Sequence, residues 1–360
     1  MKTERIQVIT SSAHAPDRSV LIIYTGGTLG MIHNDQGLLV PFDFASILSH
    51  VPSLRQLGLN LTVISFHPPI DSSNMTPSYW TEIARIIHNE YLNFDGFVVL
   101  HGTDTMAYTA SAISFMLENL NKPVIFTGAQ LPITAFRSDA RENLITSLEI
   151  ASAQDNGIPV VPEVAIYFNN VLLRANRSKK VESVHFDAFE SENYPMLAES
   201  GVVIHYNHAM ILQTPAGPLT LHDKLDNRVA ILKLFPGIPR EVVEAIVNVE
   251  GLRAVVLETF GAGNAISADW FIDLLRVTIE KGVVIVNVSQ CNGGRVMQGR
   301  YETSKQLEAI GVIGGEDLTT ESAVTKLMMV LGEETDTVRV KKRFIQPVCG
   351  EMTDLKALLN

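Results

Sequence analysis

The sequence predicts two α/β domains, a larger N-terminal one on a doubly wound, mainly parallel sheet and a smaller C-terminal parallel one. Three observations carry this. Short, nearly continuous apolar runs recur along the chain, as in strands covered on both faces. Segments with helical spacing alternate with them, giving the βαβαβ order of a parallel sheet with right-handed crossovers. The alternation lapses once, over 206–227, and then resumes. A chain of 360 residues is long for one ordinary domain and suits two.

Residues 1–17 read as a tail, and "SVLIIYT" (19–25) as the first strand of a domain spanning 18–205. "LTVISF" (61–66), "GFVVLHG" (96–102), "PVIFTGA" (123–129) and "EVAIYF" (163–168) follow as strands. Between them, 77–92 places Trp80, Ile83, Ile87 and Tyr91 on one helical face. Residues 105–120 and 138–153 are the next helices, the latter with Ser138 as N-cap. The Pro- and Gly-bearing stretch 206–227 is a linker, and 228–360 forms the second domain. There, strands at 228–234, 253–259 and 282–288 alternate with helices at 239–248, 267–282 and 321–332.

Composition excludes several classes of function. Hydrophobic residues make up 46% of the chain, enough for a sizeable core. With a net charge of −11, most of the surface repels a phosphate backbone, which argues against a nucleic-acid partner. No apolar run reaches the roughly 20 residues of a membrane span. The N-terminus lacks a secretory h-region. Two cysteines, Cys291 and Cys349, fit free thiols in a reduced, cytoplasmic protein.

In an open parallel sheet, ligands bind outside the carboxyl ends of the strands. Five loops qualify: Thr25-Gly-Gly-Thr28, Asp71-Ser72-Ser73-Asn74, His101-Gly-Thr103-Asp104-Thr105, Thr127-Gly-Ala-Gln130, and the run from Arg174 to Lys180. The glycines after the first strand raise three readings: a phosphate cradle, a tight turn, or the seat of a nucleophilic threonine. Spacing weakens the first. No GxxxxGK[ST] occurs, "GGTLGM" lacks the first spacing of GxGxxG, and "GAGNAI" (261–266) lacks its last glycine. The ten histidines contain no HExxH, and the pair His205 and His208 has no evident companion, so no metal site is expected. His101, directly after an apolar strand, reads as a hydrogen-bonded structural residue.

A threonine nucleophile fits the loops better. A Thr hydroxyl needs a neighbour that takes its proton, and Thr103 with Asp104 beside it and a lysine within reach satisfies this. Thr28, flanked by glycines, sits where the backbone can approach a small substrate and donate N–H groups. Most single Thr residues at strand ends only close turns; the joint pattern is the signal.

"YTGGTLGM", "DSSNM", "HGTDTMAYTAS", "FTGAQLPI" with "SDARENL", "RANRSKK" and "GAGN" occur in the order found in L-asparaginases. "SFMLENLNKPVIFTGAQLPI" and "GVIGGEDLT" resemble the cytoplasmic, type I group, over roughly Val20 to Gly332. The resemblance implies hydrolysis of L-asparagine to L-aspartate and ammonia without cofactor, with minor activity on glutamine, in a homotetramer of two intimate dimers. It implies that Thr28 is the primary nucleophile and that Thr103, Lys180 and Asp104 form a triad. Asp104 also holds the substrate α-amino group, and Asp71 and Ser72 hold its α-amino and α-carboxylate groups. Asn264 is expected at the dimer interface, facing the neighbour's site.

Two departures stand out. Many members carry a tyrosine on the loop after the nucleophile, where this chain has Leu38; Tyr301 is the candidate substitute. Cooperative members carry an arginine shortly before the GxGN loop, where this chain has Glu258, which argues against that allostery. Closure of residues 29–44 over the site is expected to hinge at Gly30 and Gly37. Rival readings are the tRNA-dependent amidotransferase component that shares this domain, which normally has more than the 17 residues found here before the first strand, and a non-catalytic amino-acid sensor.

Overall fold

Each expected strand of the N-terminal half takes its place in one sheet of a computed structural model that describes residues 2–8, 17–33, 39–41, 51–300 and 302–353. The chain divides into two compact units, Met1–Leu221 and His222–Asn360. In the first unit, β1 (Lys2–Val8), β2 (Arg18–Tyr24), β3 (Leu59–His67), β4 (Gly96–Leu100), β5 (Val124–Thr127), β6 (Val164–Phe168), β7 (Val171–Arg174), β8 (Ala198–Ser200) and β9 (Ile204–Tyr206) run in spatial order β1-β3-β2-β4-β5-β6-β7-β8-β9. The five from β3 to β6 are mutually parallel. Antiparallel strands extend both edges.

The crossovers carry α1 (Pro77–Glu90), α2 (Met106–Met116) and α3 (Ala140–Ser152). Proline in the first turn opens α1, and Trp80, Ile83 and Ile87 form its buried face. Ser138 does not cap α3 in the expected position, but its hydroxyl accepts from Ala140 N at 3.0 Å and donates to Leu131 O. On β2, Val20 to Ile23 are fully buried, as are Phe97 to Leu100 on β4. Each such side chain contributes roughly 1.5–3 kcal/mol of burial free energy.

Residues 2–8, expected within a tail, are instead an edge strand, paired from Lys2↔His67 to Val8↔Leu61. Lys2, Glu4 and Arg5 are exposed. Charges of this kind protect an edge from further pairing, and they also erase the apolar signal by which a strand is recognised.

The second unit holds four parallel strands, β10 (Val229–Lys233), β11 (Ala254–Thr259), β12 (Val284–Ser289) and β13 (Ile313–Gly314). Around them lie α4 (Arg240–Val247), α5 (Asp269–Glu280), α6 (Glu302–Ala309), α7 (Thr320–Glu333) and α8 (Thr337–Phe344). Val243, Phe271 and Leu275 pack on Leu232, Val255 and Ile285. The apolar pattern predicts neither α6 nor α8: α6 is mostly polar, and of α8 only Val340 and Phe344 are buried.

A buried ion pair fixes the chain that leaves β7. Arg174 Nε donates to Glu163 Oε2 at 2.6 Å, and both side chains are almost wholly buried. Arg174 Nη2 also donates to Met210 O, Leu212 N donates to Glu163 Oε1, and the guanidinium lies 4.2 Å from the Tyr194 ring centroid. Removing one charge leaves the other buried and uncompensated, so Glu163→Gln is expected to cost about 3 kcal/mol in urea unfolding. A loss below roughly 1 kcal/mol, the range of exposed pairs, contradicts that assignment.

Candidate active site

The sequence order of the parallel strands reverses between β2 and β4, which lie side by side: the chain winds from β2 to β3 on one side and from β4 onward on the other. The crevice outside the carboxyl ends of such a pair is where ligands bind. Register aligns Tyr24 with Leu100, so the loops bearing Thr28 and Thr103 emerge as neighbours.

Each threonine of the first loop has its own task. Thr25 ties the strand ends together: its N–H and hydroxyl both donate to Leu100 O, at 3.0 and 2.9 Å, and its carbonyl accepts from Ile70 N. Gly26 and Gly27 follow with φ of 135° and 93°. A Cβ on Gly26 would lie 2.2 Å from Ile70 O, and one on Gly27 would lie 2.6 Å from Gly102 Cα. Only glycine permits both this backbone shape and this approach. Thr28 then opens a single 3₁₀ turn, half-buried, its hydroxyl making no hydrogen bond among the described residues. Gly30, an expected hinge, is packed against Tyr24, whose hydroxyl donates to its carbonyl. Gly37 and Leu38 lie outside the described residues.

The loop after β3 closes on the same place. Asp71 caps a short turn over Ser72–Asn74, its Oδ1 accepting from Ser73 N at 2.9 Å. Ser72 is buried and its carbonyl accepts from Thr105 Oγ1 at 2.8 Å. A Cβ on Gly102 would meet Ser72 Oγ at 2.5 Å.

Lys180 arrives from far along the chain. After the 3₁₀ turn Ala175–Arg177, residues Lys179–Lys180 pair with Phe189–Glu190 in a small hairpin. Lys180 Nζ donates to Thr103 Oγ1 at 2.8 Å and to Asp104 Oδ1 at 2.7 Å. Thr103 is buried, whereas the Asp104 side chain is 66% exposed and free to meet a ligand. Thr103, Asp104, Lys180, Asp71, Ser72 and Thr28 thus converge on one end of one sheet.

Asn264 lies in the second unit, in a tight turn where it and Phe260 exchange backbone hydrogen bonds. Tyr301 lies outside the described residues.

Other residues take part to which the sequence assigns no role. The Asp139 carboxylate accepts from Gln130 N and Leu131 N at 2.9–3.2 Å, and Asn143 Nδ2 donates to it and to Gly128 O. Gln130 ends one of the five strand-end loops, and Asp139 and Asn143 lie in "SDARENL". Glu163 gives no signal of its own.

His101 is wholly buried, and desolvation pulls its pKa down to about 4 against the opposing hydrogen bond to Gly102 O. A carbonyl only accepts, so Nδ1 carries the proton at 2.7 Å from Gly102 O, and the ring braces the Thr103 loop as a neutral structural group. Among the described residues no three His, Cys, Asp or Glu converge as a metal site requires, and no helix is long and apolar enough to cross a membrane.

Comparison with known proteins gives concordant matches. Residues 19–212 match the family model "Asparaginase, N-terminal", and 228–344 match "Glutaminase/Asparaginase C-terminal domain". The chain is 40% identical over 343 residues to L-asparaginase 1 of Escherichia coli K12, covering 93% of this chain and 98% of that protein. It is 34% identical over 357 residues to a glutamyl-tRNA(Gln) amidotransferase component of Pyrococcus horikoshii, covering 96% of this chain and 78% of that one. Among solved structures, L-asparaginase I from Vibrio cholerae superposes with a TM-score of 0.84 at 38% identity, covering 94% and 99% of the two chains.

The neutral His101 has a thermodynamic consequence. Its folded pKa, about 4, lies below the unfolded value of 6.5, so the unfolded chain takes up the proton first as pH falls. Stability from this group is therefore complete above pH 6.5 and is lost on the way down to about 4, on the order of 3 kcal/mol in all. Unfolding free energies measured across that window should fall more steeply for the wild type than for His101→Gln. Parallel curves would show that His101 is not held neutral.

Proposed function

The chain belongs to the asparaginase family, and on that premise we propose that it hydrolyses L-asparagine to L-aspartate and ammonia through a threonine nucleophile, with minor activity on glutamine. The observation that carries this reading is the pair of contacts from Lys180 Nζ, 2.8 Å to Thr103 Oγ1 and 2.7 Å to Asp104 Oδ1, across 77 and 76 residues of sequence. A non-catalytic sensor has no need of a lysine aimed at a buried hydroxyl.

In this mechanism Asp71, Ser72 and Asp104 grip the α-amino and α-carboxylate groups, which brings the side-chain amide carbon to Thr28. Thr28 Oγ1 bonds to that carbon and its proton is relayed to the leaving amide nitrogen, with Tyr301 as the candidate relay. The tetrahedral oxyanion accepts from backbone N–H groups of the glycine loop and of the Thr103 turn. One such donor is worth about 3–4 kcal/mol in other enzymes. The C–N bond breaks, ammonia leaves with the proton, and an ester to Thr28 remains. Water, oriented by Thr103 and Lys180, then attacks the ester carbon. The C–O bond to Thr28 breaks, one water proton goes to Thr28 Oγ1, the other is lost from the new carboxylic acid to solvent, and aspartate departs. Asn264 faces the neighbouring protomer's site in a homotetramer of intimate dimers, and the enzyme works in the cytoplasm.

The test is ammonia release from L-asparagine and L-glutamine by the purified protein and its variants. Thr28→Ala and Lys180→Met are expected to lower kcat by roughly 10²–10⁴. Thr103→Val should do the same. Turnover undiminished in Thr28→Ala removes the nucleophile assignment, and a wild type that binds L-asparagine without releasing ammonia makes the protein a sensor.

A further inference from the structure

Gln130 follows β5, so its loop runs beside the Thr103 loop that follows β4. Its backbone is fixed by the Asp139 carboxylate, which accepts from Gln130 N at 2.9 and 3.2 Å and from Leu131 N at 3.1 Å. Its side chain spans a gap: Nε2 donates to His185 O at 2.9 Å, and Oε1 lies 3.4 Å from Thr103 Oγ1.

The chemistry of these partners removes every ambiguity of orientation. The His185 carbonyl only accepts, so the amide NH₂ must face it, and Oε1 must face Thr103. Oε1 also only accepts, so the Thr103 hydrogen points at Gln130 and an oxygen lone pair points at Lys180. The result is one polarised chain, Lys180 to Thr103 to Gln130 to His185. His185 sits between the paired strands Lys179–Lys180 and Phe189–Glu190, so the chain begins and ends on the hairpin that carries Lys180.

We propose that Gln130 is a positioning residue that sets the direction of the Thr103 hydroxyl and ties it to the hairpin bearing Lys180. This rests on the reading that Thr103 and Lys180 act in the hydrolysis. The two distances suit such a role. The Lys180 contact, at 2.8 Å, is a strong hydrogen bond. The Gln130 contact, at 3.4 Å, is longer than an ordinary O–H···O hydrogen bond and so a weak one. It favours the orientation in which a Thr103 lone pair receives the Lys180 donor, and it yields when the hydroxyl turns to a water in the site.

The experiment compares wild type, Gln130→Met, which keeps length and loses both hydrogen bonds, and Gln130→Glu, which keeps an acceptor toward Thr103 and loses the donor toward His185. Gln130→Met should lower kcat on L-asparagine at least about tenfold with KM within about threefold, because substrate binding is untouched. Gln130→Glu should fall between Gln130→Met and wild type; if Gln130→Met does not fold, a several-fold loss of kcat at unchanged KM in Gln130→Glu supports the proposal alone. Wild-type kcat in the variant that folds, or a change in KM alone, overturns it. A wild type that releases no ammonia overturns the functional reading instead, and crystal structures then decide on Gln130. Thr103 should hold one χ1 rotamer in wild type and several in Gln130→Met, whereas a single rotamer with the 2.8 Å Lys180 contact intact refutes the proposal.

Discussion

The loops after β2 and β4 can lie against one another because neither Gly27 nor Gly102 carries a Cβ, and the strand order leaves them nowhere else to go. A methyl group on Gly27 would sit 2.6 Å from Gly102 Cα, and one on Gly102 would sit 2.5 Å from Ser72 Oγ. Three loops therefore share a space that holds backbone and little else. Thr28 follows Gly27 in one loop, Thr103 and Asp104 follow Gly102 in another, and Ser72 of the third meets Gly102. Thr25 secures the arrangement from below by giving both its donors to Leu100 O.

Around this centre the molecule uses buried polar groups for rigidity. The Arg174–Glu163 pair is charged, satisfied on several sides and inaccessible, and its Arg174 lies six residues before Lys180. Such a pair adds little net stability compared with apolar packing, but it tolerates no rearrangement once formed. His101 performs a smaller version of the same task in neutral form, and Asp139 does so for the Gln130 loop. The candidate site groups are thus held by elements that have few alternative positions.

The strand and helix segments were legible because apolar runs and helical spacing are local properties. The loops that carry Thr28, Asp71, Ser72, Thr103 and Asp104 were legible for a related reason: parallel strands place their carboxyl ends on one edge, so each following loop can be located without coordinates. Where local pattern fails, so did the reading. β1 is an exposed, charged edge strand, and its pairing with β3 is a long-range event that its own residues barely announce. α8 buries only two residues, too few to leave a periodic trace.

The sequence by itself determined the fold class, the strand and helix alternation, and the residue types gathered at one end of the sheet. The resemblance implied that Lys180 meets Thr103 and Asp104 across 77 and 76 residues, but only the tertiary structure gave the contact its geometry and decided that Gln130 joins Thr103 to the same hairpin. It also decided that Glu163, silent in sequence, anchors the segment leading to Lys180. The physical reason is one of range. Burial and backbone preference act between near neighbours and leave a periodic record, whereas a hydrogen bond between distant side chains depends on how several loops pack together and leaves none.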